Sequence, residues 1–203
     1  MDKIFLCVTS VINTLIKKYD YQYYLEIGVE GGEAFSNVDC LVKHGVDPYS
    51  INANFRIPSD EFFAMINDEV LYDIIFVDGL HLEEQAQRDI ENAMLHLREG
   101  GVIVVHDCNP PTEWHQRSYE EFQQHYSQWN GTTWRGFVNL RATRPDLEMC
   151  VIDTDWGCGI VRQDGEGQDV IDLPENYSYA DFEAHRKEWL NLISEQEFLE
   201  TWL

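Results

Sequence analysis

The spacing of apolar residues changes several times along this chain, and each change predicts a helix or a strand. Between residues 4 and 16 apolar side chains recur every three or four positions. This spacing is typical of an amphipathic helix, predicted here within residues 1–20 with Asp2 as its cap. Two short and nearly continuous apolar runs, Tyr72–Val77 and residues 102–105, are instead typical of strands buried on both faces of a parallel sheet.

The same reasoning extends over the rest of the chain. It predicts further strands at residues 23–27, 45–48, 147–152 and 157–161. It predicts further helices at residues 33–43, 58–66, 82–97, 119–129, 134–140, 178–193 and 194–202, with Gly100 and Gly101 ending the third of these. Ser178 and Ser194 are predicted to cap the last two. Alternating strands and helices favour an α/β fold with a doubly wound, mostly parallel sheet and helices on both faces. The closely spaced late strands add an antiparallel C-terminal hairpin.

Length and charge narrow the class of protein. The 203 residues suit one domain, with a core at 23–162 and C-terminal helices at 178–203. Fourteen Lys and Arg against 37 Asp and Glu give a formal net charge of −23. This balance argues against nucleic acid and against anionic membranes as partners, because both need basic surfaces. A small neutral or cationic molecule, or a basic partner, remains open, and a homodimer is neither indicated nor excluded. The simpler explanation, which we favour, is that the acidity mainly aids solubility.

Two further features favour a cytoplasmic protein. No apolar run approaches the roughly 18 residues of a membrane span, and the first residues lack the basic start and solid apolar block of a signal peptide. The five cysteines include no C-x-x-C pair, which favours reduced thiols over a disulfide or zinc scaffold.

A glycine turn after the first predicted strand is the strongest candidate for a ligand site. Glu26, Gly28, Glu30, Gly32 and Glu33 lie in or beside it, without a nearby Lys or Arg. Turns at this place in α/β sheets hold nucleotide-like ligands, and glycine allows close backbone approach. A carboxylate-rich turn would repel a pyrophosphate but suits S-adenosylmethionine, which carries a sulfonium and an ammonium group and no phosphate.

Acidic residues beyond the turn extend this candidate site. Asp47 lies 19 residues after Gly28, an offset at which an acid accepts hydrogen bonds from ribose hydroxyls. It is also a plausible turn acid before a proline. Ser59 and Asp60 follow at a predicted helix start and are placed to reach an adenine edge. The dinucleotide pattern G-x-G-x-x-G is absent, because Glu30 occupies its second glycine position.

Polar residues also end the two buried strands. Asp78 follows residues 72–77, with His81 three positions later, and His106 and Asp107 follow residues 102–105. Carboxyl ends of parallel strands meet at one edge, so Asp78 and Asp107 are predicted to lie close together. Such a pair is a candidate Mg²⁺ site. His81 has a suitable pKa range for a general base, and Asp107 is a candidate ligand, base or orienting group.

The order of these motifs resembles class I S-adenosylmethionine-dependent methyltransferases. The closest resemblance is to a small bacterial subgroup with F-[IV]-D-G-x-H and H-D segments, here residues 76–81 and 106–107. Within the cofactor loop, Glu26, Gly28 and Gly32 match the family pattern, and the likeness covers residues 23–109. The segment between Asp47 and Ser59 departs from it, being too short for a full helix and strand.

The resemblance implies a Rossmann-like fold and methyl transfer to a small-molecule acceptor, most simply a hydroxyl. It implies cofactor contacts from Glu26, Gly28, Gly32, Asp47, Ser59, Asp60 and Asp78. His81 and Asp107 would be catalytic, and Asp78 and Asp107 would be the metal ligands if Mg²⁺ or another divalent ion binds. Relatives often have a carboxylate where His106 stands, which counts against Mg²⁺. The alternatives are a non-catalytic nucleoside-binding protein and, third, a nicotinamide-dependent oxidoreductase.

Overall fold

A seven-stranded sheet runs through the computed structural model, which describes residues 6–202. Its strands are β1 Tyr23–Ile27, β2 Val42–Val46, β3 Tyr72–Val77, β4 Leu97–Val105, β5 Glu148–Ile152, β6 Cys158–Arg162 and β7 Leu192–Ile193. Their order across the sheet is β2-β1-β3-β4-β6-β5-β7. Strand β6 pairs antiparallel with β4 and β5, and the other pairings are parallel. The predicted Rossmann-like, mostly parallel sheet with a late antiparallel hairpin is confirmed.

Helices cover both faces of this sheet. They are α1 Val8–Tyr19, α2 Glu33–Asn37, α3 Ser59–Met65, α4 Glu83–Leu95, α5 Tyr119–Gln124, α6 Thr133–Thr143, α7 Tyr179–Trp189 and α8 Glu195–Thr201, with a 3-10 helix at Glu113–Gln116. Alternate residues of each central strand point to opposite faces. Ile75 and Val77 join the core beneath α3, α4, α6 and α7, whereas Ile74 and Phe76 join the core beneath α1 and α8.

The predicted helix over residues 33–43 is wrong beyond its first half. Helix α2 ends at Asn37, and residues 42–46 form β2, whose Val42 pairs with Tyr23 of β1. The Lys43 ammonium donates hydrogen bonds to the carbonyls of Phe35 and Val38, 2.6 and 3.0 Å away, which holds the end of the short helix. Pairing with β1 and burial of Val46 therefore outweigh the local helical preference.

Gly100 and Gly101 do not end the preceding helix. Helix α4 stops at Leu95, and both glycines lie inside β4. The register with β3 shifts here, from Tyr72 opposite Leu97 to Ile74 opposite Val102. Gly100 takes a φ of +77°, which only glycine adopts freely, so the pair forms a bulge that lets one strand continue.

In the C-terminal part of the chain two predicted helix caps are confirmed and one predicted helix end is wrong. Capping boxes start α7 at Ser178 and α8 at Ser194, as the sequence predicts. Residues 192–193, however, form β7 beside β5 and not the end of a helix, because Asn191 turns left-handed with a φ of +45°. The sheet therefore ends at β7, and the hairpin of β5 and β6 lies one strand inside that edge.

The first helix begins later than its periodicity suggests. Asp2, its predicted cap, lies outside the described residues. The carboxylate of Asp155 caps the helix instead, accepting a hydrogen bond from the Val8 amide at 2.7 Å. This contact ties α1 to the turn between β5 and β6. Within residues 6–202, no helix combines the length and the apolar character that crossing a bilayer requires.

The end of β1 passes unusually close to the end of β3. The Asp78 amide donates to the Ile27 carbonyl at 2.8 Å, and the Gly28 amide donates to the Val46 carbonyl at 2.9 Å. Gly28 has a φ of +89°, and a Cβ at this position would lie 1.9 Å from the Asp78 carbonyl oxygen. Any side chain here would push apart the two strand ends that carry the candidate site.

We therefore expect Gly28→Ala to lower the free energy of unfolding by at least about 2 kcal/mol, through steric overlap and a disfavoured φ. Denaturant unfolding measures the change. Gly31→Ala is the matched control, since a Cβ there meets nothing within 4 Å. Equal stability of the two variants would contradict the close approach.

Candidate active site at the strand ends

Asp47 holds the glycine turn to the loop that follows β2. Its Oδ2 accepts hydrogen bonds from the amides of Val29 and Glu30, at 3.1 and 2.9 Å. Its Oδ1 accepts from the amides of Tyr49 and Ser50, at 2.7 and 2.8 Å. Burial alone would raise the pKa of Asp47, but these four amides together lower it, so the carboxylate stays charged.

The predicted ribose role of Asp47 meets competition from these amides. An ionised carboxylate offers about four acceptor positions, and here four backbone N–H groups use them. A ribose hydroxyl would therefore have to share with or replace one of the amides.

The loop after Asp47 lies over the turn. The Ser50 hydroxyl donates to the Glu30 carbonyl at 2.6 Å, and the side-chain amide of Asn52 donates to the Gly31 carbonyl at 2.9 Å. The loop returns to β2 through a single parallel bridge between Val46 and Phe55. As its length predicts, the segment between Asp47 and Ser59 has no room for a full helix and strand, and it contains one bridge in their place.

Glu26 lies beneath the turn and not on its surface. Its side chain is buried, with 1% of the residue exposed, and accepts a hydrogen bond from the Tyr24 hydroxyl. Burial raises the pKa of Glu26 to about 8, against the lowering effect of the Tyr24 hydrogen bond. Contact between Glu26 and a cofactor remains a prediction, and in this structure the carboxyl faces protein.

Ser59 and Asp60 open α3 where the sequence predicts, and they meet α4. The Gln85 side-chain amide lies 3.3 Å from the Ser59 hydroxyl and 3.2 Å from an Asp60 oxygen, and it also donates to Asp89 at 3.1 Å. Asp89 is buried, which raises its pKa to about 6 although hydrogen bonds from Ser59 and Gln85 oppose the rise. The pair predicted at the adenine side therefore belongs to a polar network with α4.

The ends of β3 and β4 bring two acids and two histidines together, as the sequence predicts. The His81 ring lies between the acids, with Nε2 3.3 Å from Asp78 Oδ1 and Nδ1 3.0 Å from Asp107 Oδ2. His106 Nδ1 lies 3.2 Å from Asp78 Oδ1. Potential metal-ligand atoms of Asp78, His81 and Asp107 all fall within 4.8 Å of one another.

Mutual charges set the protonation of this cluster. Burial favours neutral histidine, but hydrogen bonding to Asp78 and the charges of both acids raise the pKa of His81 to about 9. Burial would raise the pKa of Asp78, yet the His106 charge and the hydrogen bonds from both histidines lower it. Burial raises the pKa of Asp107 to about 6, with the two histidines opposing the rise. At neutral pH the cluster holds imidazolium–carboxylate pairs.

Residues 113–131 form a roof over His81. The Trp129 ring stacks on the His81 ring, with centroids 5.5 Å apart, and Phe122 stacks on the other side of the tryptophan at 4.6 Å. The buried Arg117 guanidinium closes the roof by donating to four backbone carbonyls of residues 114–128. The Trp129 indole in turn donates to the Arg117 carbonyl at 2.7 Å. This aromatic roof packs directly against a candidate catalytic side chain.

Two residues of the site lack a sequence signal. The Asn130 side-chain amide donates to Asp107 Oδ1 at 2.7 Å, although the two are 23 positions apart. Asp155, in the turn between β5 and β6, lies with Oδ2 3.8 Å from His106 Nε2. The backbone at Asp107 is in the left-handed region, with a φ of +60°. The backbone amides of the next two residues donate to the carbonyls of Gly157 and Trp156. Only the folded chain brings these groups together.

A separate cavity lies away from the strand-end site. It measures about 400 Å³ and is lined by Asn139, Ala142, Leu173 and Tyr177, between α6 and the segment before α7. None of the predicted site residues lines it, so its size does not bear on the strand-end site.

Comparison with known proteins agrees with this geometry. Residues 25–108 match a family described as a methyltransferase domain. The resemblance to methyltransferases is thus confirmed for the segment from β1 to just beyond β4. No curated protein matches the chain.

Solved structures share the fold. Cofactor-bound Rv0187 from MTB is 16% identical, covers 80% of this chain and 83% of its own, and has a TM-score of 0.59. The S-adenosylhomocysteine-bound methyltransferase PaMTH1 from Podospora anserina is 13% identical over 77% and 78%, with a TM-score of 0.55. An O-methyltransferase from Bacillus cereus in complex with S-adenosylhomocysteine is 17% identical over 75% and 78%, with a TM-score of 0.51.

Burial of Asp89 predicts a testable dependence of protein stability on pH. Its folded pKa of about 6 lies above the unfolded value of 3.8. The folded state therefore keeps a proton that the unfolded chain releases, and stability falls as pH rises from about 4 through about 6. We expect Asp89→Asn to remove this fall and to gain about 2–3 kcal/mol relative to the wild type between pH 4 and pH 8.

Denaturant unfolding across this pH range measures the effect. Glu91→Gln, on the exposed side of the same helix, is the control. Parallel stability curves for Asp89→Asn and the wild type would show that Asp89 carries no such proton.

Proposed function

We propose that this chain is an S-adenosylmethionine-dependent methyltransferase that acts on an oxygen of a small-molecule acceptor. One observation carries the proposal. The segment that matches a methyltransferase domain, residues 25–108, places the glycine turn, Asp47 and the Asp78–His81–Asp107 cluster at one edge of the sheet. In open α/β sheets this edge, at the carboxyl ends of the strands, is where ligands bind.

The cofactor side suits a cation. The turn presents backbone close to Asp78 and carries Glu30 and Glu33, while the Lys43 ammonium donates to the end of α2. We assign the methionine end of the cofactor to Glu26, Gly28 and Gly32, the ribose to Asp47, the adenine side to Ser59 and Asp60, and the centre to Asp78. When bound, the cofactor supplies the electrophilic methyl group.

The acceptor side has a base and a group that orients it. His81 is held by Asp107 and by the Trp129 ring, so its imidazole has a fixed direction. Once neutral, it can take the proton from an acceptor hydroxyl as the oxygen attacks. Asp107 would orient the ring and stabilise the imidazolium that forms, and Asn130 keeps Asp107 in place.

A divalent ion fits the same acids. Asp78 and Asp107 present carboxylates on neighbouring strand ends, and a bound cation would orient and acidify the acceptor hydroxyl. In this arrangement both carboxylates contact histidines, so the donor set also includes nitrogen.

The other functions have less support. A nicotinamide-dependent oxidoreductase needs a turn that accepts a pyrophosphate, and the acids at Glu30 and Glu33 oppose one. A non-catalytic nucleoside-binding protein would not need His81 oriented between two carboxylates. We further propose that residues 1–203 act as one domain in the cytoplasm, since all described strands share one sheet and the five cysteines are free thiols.

Calorimetry tests the cofactor. We expect S-adenosylmethionine and S-adenosylhomocysteine to bind and NAD not to bind. Asp47→Asn should weaken binding by about 1–3 kcal/mol, because it removes a charged acceptor that also orders the turn. Asp39→Asn, an exposed carboxylate before β2, is the control. Binding of NAD in preference to both sulfur nucleosides would reject the proposal, and unchanged affinity in Asp47→Asn would remove Asp47 from the site.

Turnover tests the base. We expect His81→Gln to lower the methyl-transfer rate about 10²- to 10⁴-fold, the range typical of general-base catalysis, while S-adenosylhomocysteine affinity stays nearly unchanged. Rates are measured across hydroxylated acceptors, with and without added divalent ions. His185→Gln, on the exposed part of α7, controls for loss of a histidine. Normal turnover in His81→Gln would exclude the base role.

A further inference from the structure

We propose that Arg186, on α7, is a positioning residue that holds Asp107 in place beside His81. Its guanidinium contacts residues 109 and 110, directly after the strand end that carries Asp107. The inference rests on the proposed function, in which Asp107 orients the base. It adds to that function a helix outside residues 25–108, the segment that matches a methyltransferase domain.

The backbone at Asp107 has a conformation that needs support. Its φ of +60° lies in the left-handed region, which residues other than glycine adopt only at a cost. In this conformation the Asp107 carboxylate contacts His81 at 3.0 Å and Asn130 at 2.7 Å. A conformation of this kind persists only where the surrounding structure fixes it. The residues that follow Asp107 must therefore be held.

The turn between β5 and β6 holds one side of this segment. The backbone amides of residues 108–109 donate to the carbonyls of Gly157 and Trp156, at 3.0 and 2.8 Å. A Cβ at Gly157 would lie 2.4 Å from the Asn109 Cβ, so the two segments pack closely. Asp155 and Trp156 in this turn are also left-handed, with φ values of +42° and +65°. The support on this side is thus itself a strained turn.

Arg186 holds the other side of the segment. Its Nη1 donates to the Asn109 side-chain oxygen and, at 2.9 Å, to the Pro110 carbonyl. Its Nη2 donates to the Tyr179 hydroxyl at 2.7 Å, and that hydroxyl donates to the same Pro110 carbonyl at 3.0 Å. The guanidinium also lies over the Phe182 ring, 4.5 Å from its centroid. Because proline has a fixed φ and restricts the residue before it, holding Pro110 also holds Asn109.

These contacts predict which step depends on Arg186. Within residues 6–202 its hydrogen bonds go to Asn109, Pro110 and Tyr179, and none goes to the glycine turn. Loss of Arg186 would let the segment after β4 shift and would displace the Asp107 carboxylate from His81. A misplacement of about 1 Å can lower a rate about 100-fold. Methyl transfer should therefore slow while cofactor binding is spared.

Turnover of the full chain tests this expectation. Arg186→Met removes the donors but keeps a long side chain over the Phe182 ring. We expect it to lower kcat about 10- to 100-fold. The KM for S-adenosylmethionine and the calorimetric affinity for S-adenosylhomocysteine should stay nearly unchanged. Arg186→Lys keeps a charged donor and should recover part of the lost rate.

Arg135→Met is the matched control. Arg135, on α6, also lies over two aromatic rings and donates to a backbone carbonyl, that of Tyr177. Its loss removes an equivalent arginine far from residues 109 and 110 and should leave kcat unchanged.

Asn109→Ala tests whether Arg186 acts through the segment after Asp107. It should lower kcat by a factor similar to that of Arg186→Met. The double variant should lose less than the product of the two single effects, because both changes remove one shared contact. A loss equal to that product would overturn the inference.

Nuclear magnetic resonance gives a readout that needs no methyl transfer. The Asn130 side-chain amide donates to Asp107, so its resonances, assigned by their loss in Asn130→Asp, report the position of that carboxylate. We expect Arg186→Met to shift or broaden them and Arg135→Met to leave them unchanged. Circular dichroism establishes that each variant is folded, and Arg186→Lys and Asn109→Ala carry the test if Arg186→Met is not.

Unchanged kcat or unchanged Asn130 resonances in Arg186→Met would contradict the positioning role. An equal loss in Arg135→Met, or a loss of S-adenosylhomocysteine affinity as large as the loss of kcat, would contradict it as well. Failure of the methyltransferase proposal would look different. The wild type would then bind no S-adenosylhomocysteine and transfer no methyl group, while the Asn130 resonances would still respond to Arg186→Met.

Discussion

The close contact between the ends of β1 and β3 is the constraint on which the candidate site depends. Gly28 lies against the Asp78 carbonyl, and the Asp78 amide bonds to Ile27. Because the strands are parallel, their carboxyl ends lie at one edge of the sheet, and the polar residues that follow them share one small region. A side chain at position 28 would separate the turn from the acids, so the missing Cβ is a geometric requirement of the site.

Charge compensation is the second constraint. A protein with a formal net charge of −23 places the buried Asp107 near the partly buried Asp78 and Asp155, which would be costly for carboxylates alone. His81 and His106 lie between these acids and supply the opposite charge.

The site is also connected to distant parts of the chain. Asp155 joins the start of α1 to His106, and Asn130 joins the aromatic roof to Asp107. Arg117 holds that roof together by donating to four backbone carbonyls and to the Ser127 hydroxyl. The acceptor side is therefore built from long-range contacts, whereas the cofactor side is built from one local turn and the loop beside it.

The sequence by itself determined the strands β1 and β3, the glycine turn, the strand-end acids and the two late capping boxes. Each of these depends on local spacing or on apolar runs that pack in only one way. The tertiary structure decided the rest. Val42–Val46 forms a strand because it pairs with β1. The chain forms a bulge at Gly100 because β4 pairs with β3 on both sides of it. Asn130 and Asp155 joined the site through contacts across 23 and 49 positions, and such contacts leave no periodic pattern, because they depend on where folding places whole elements.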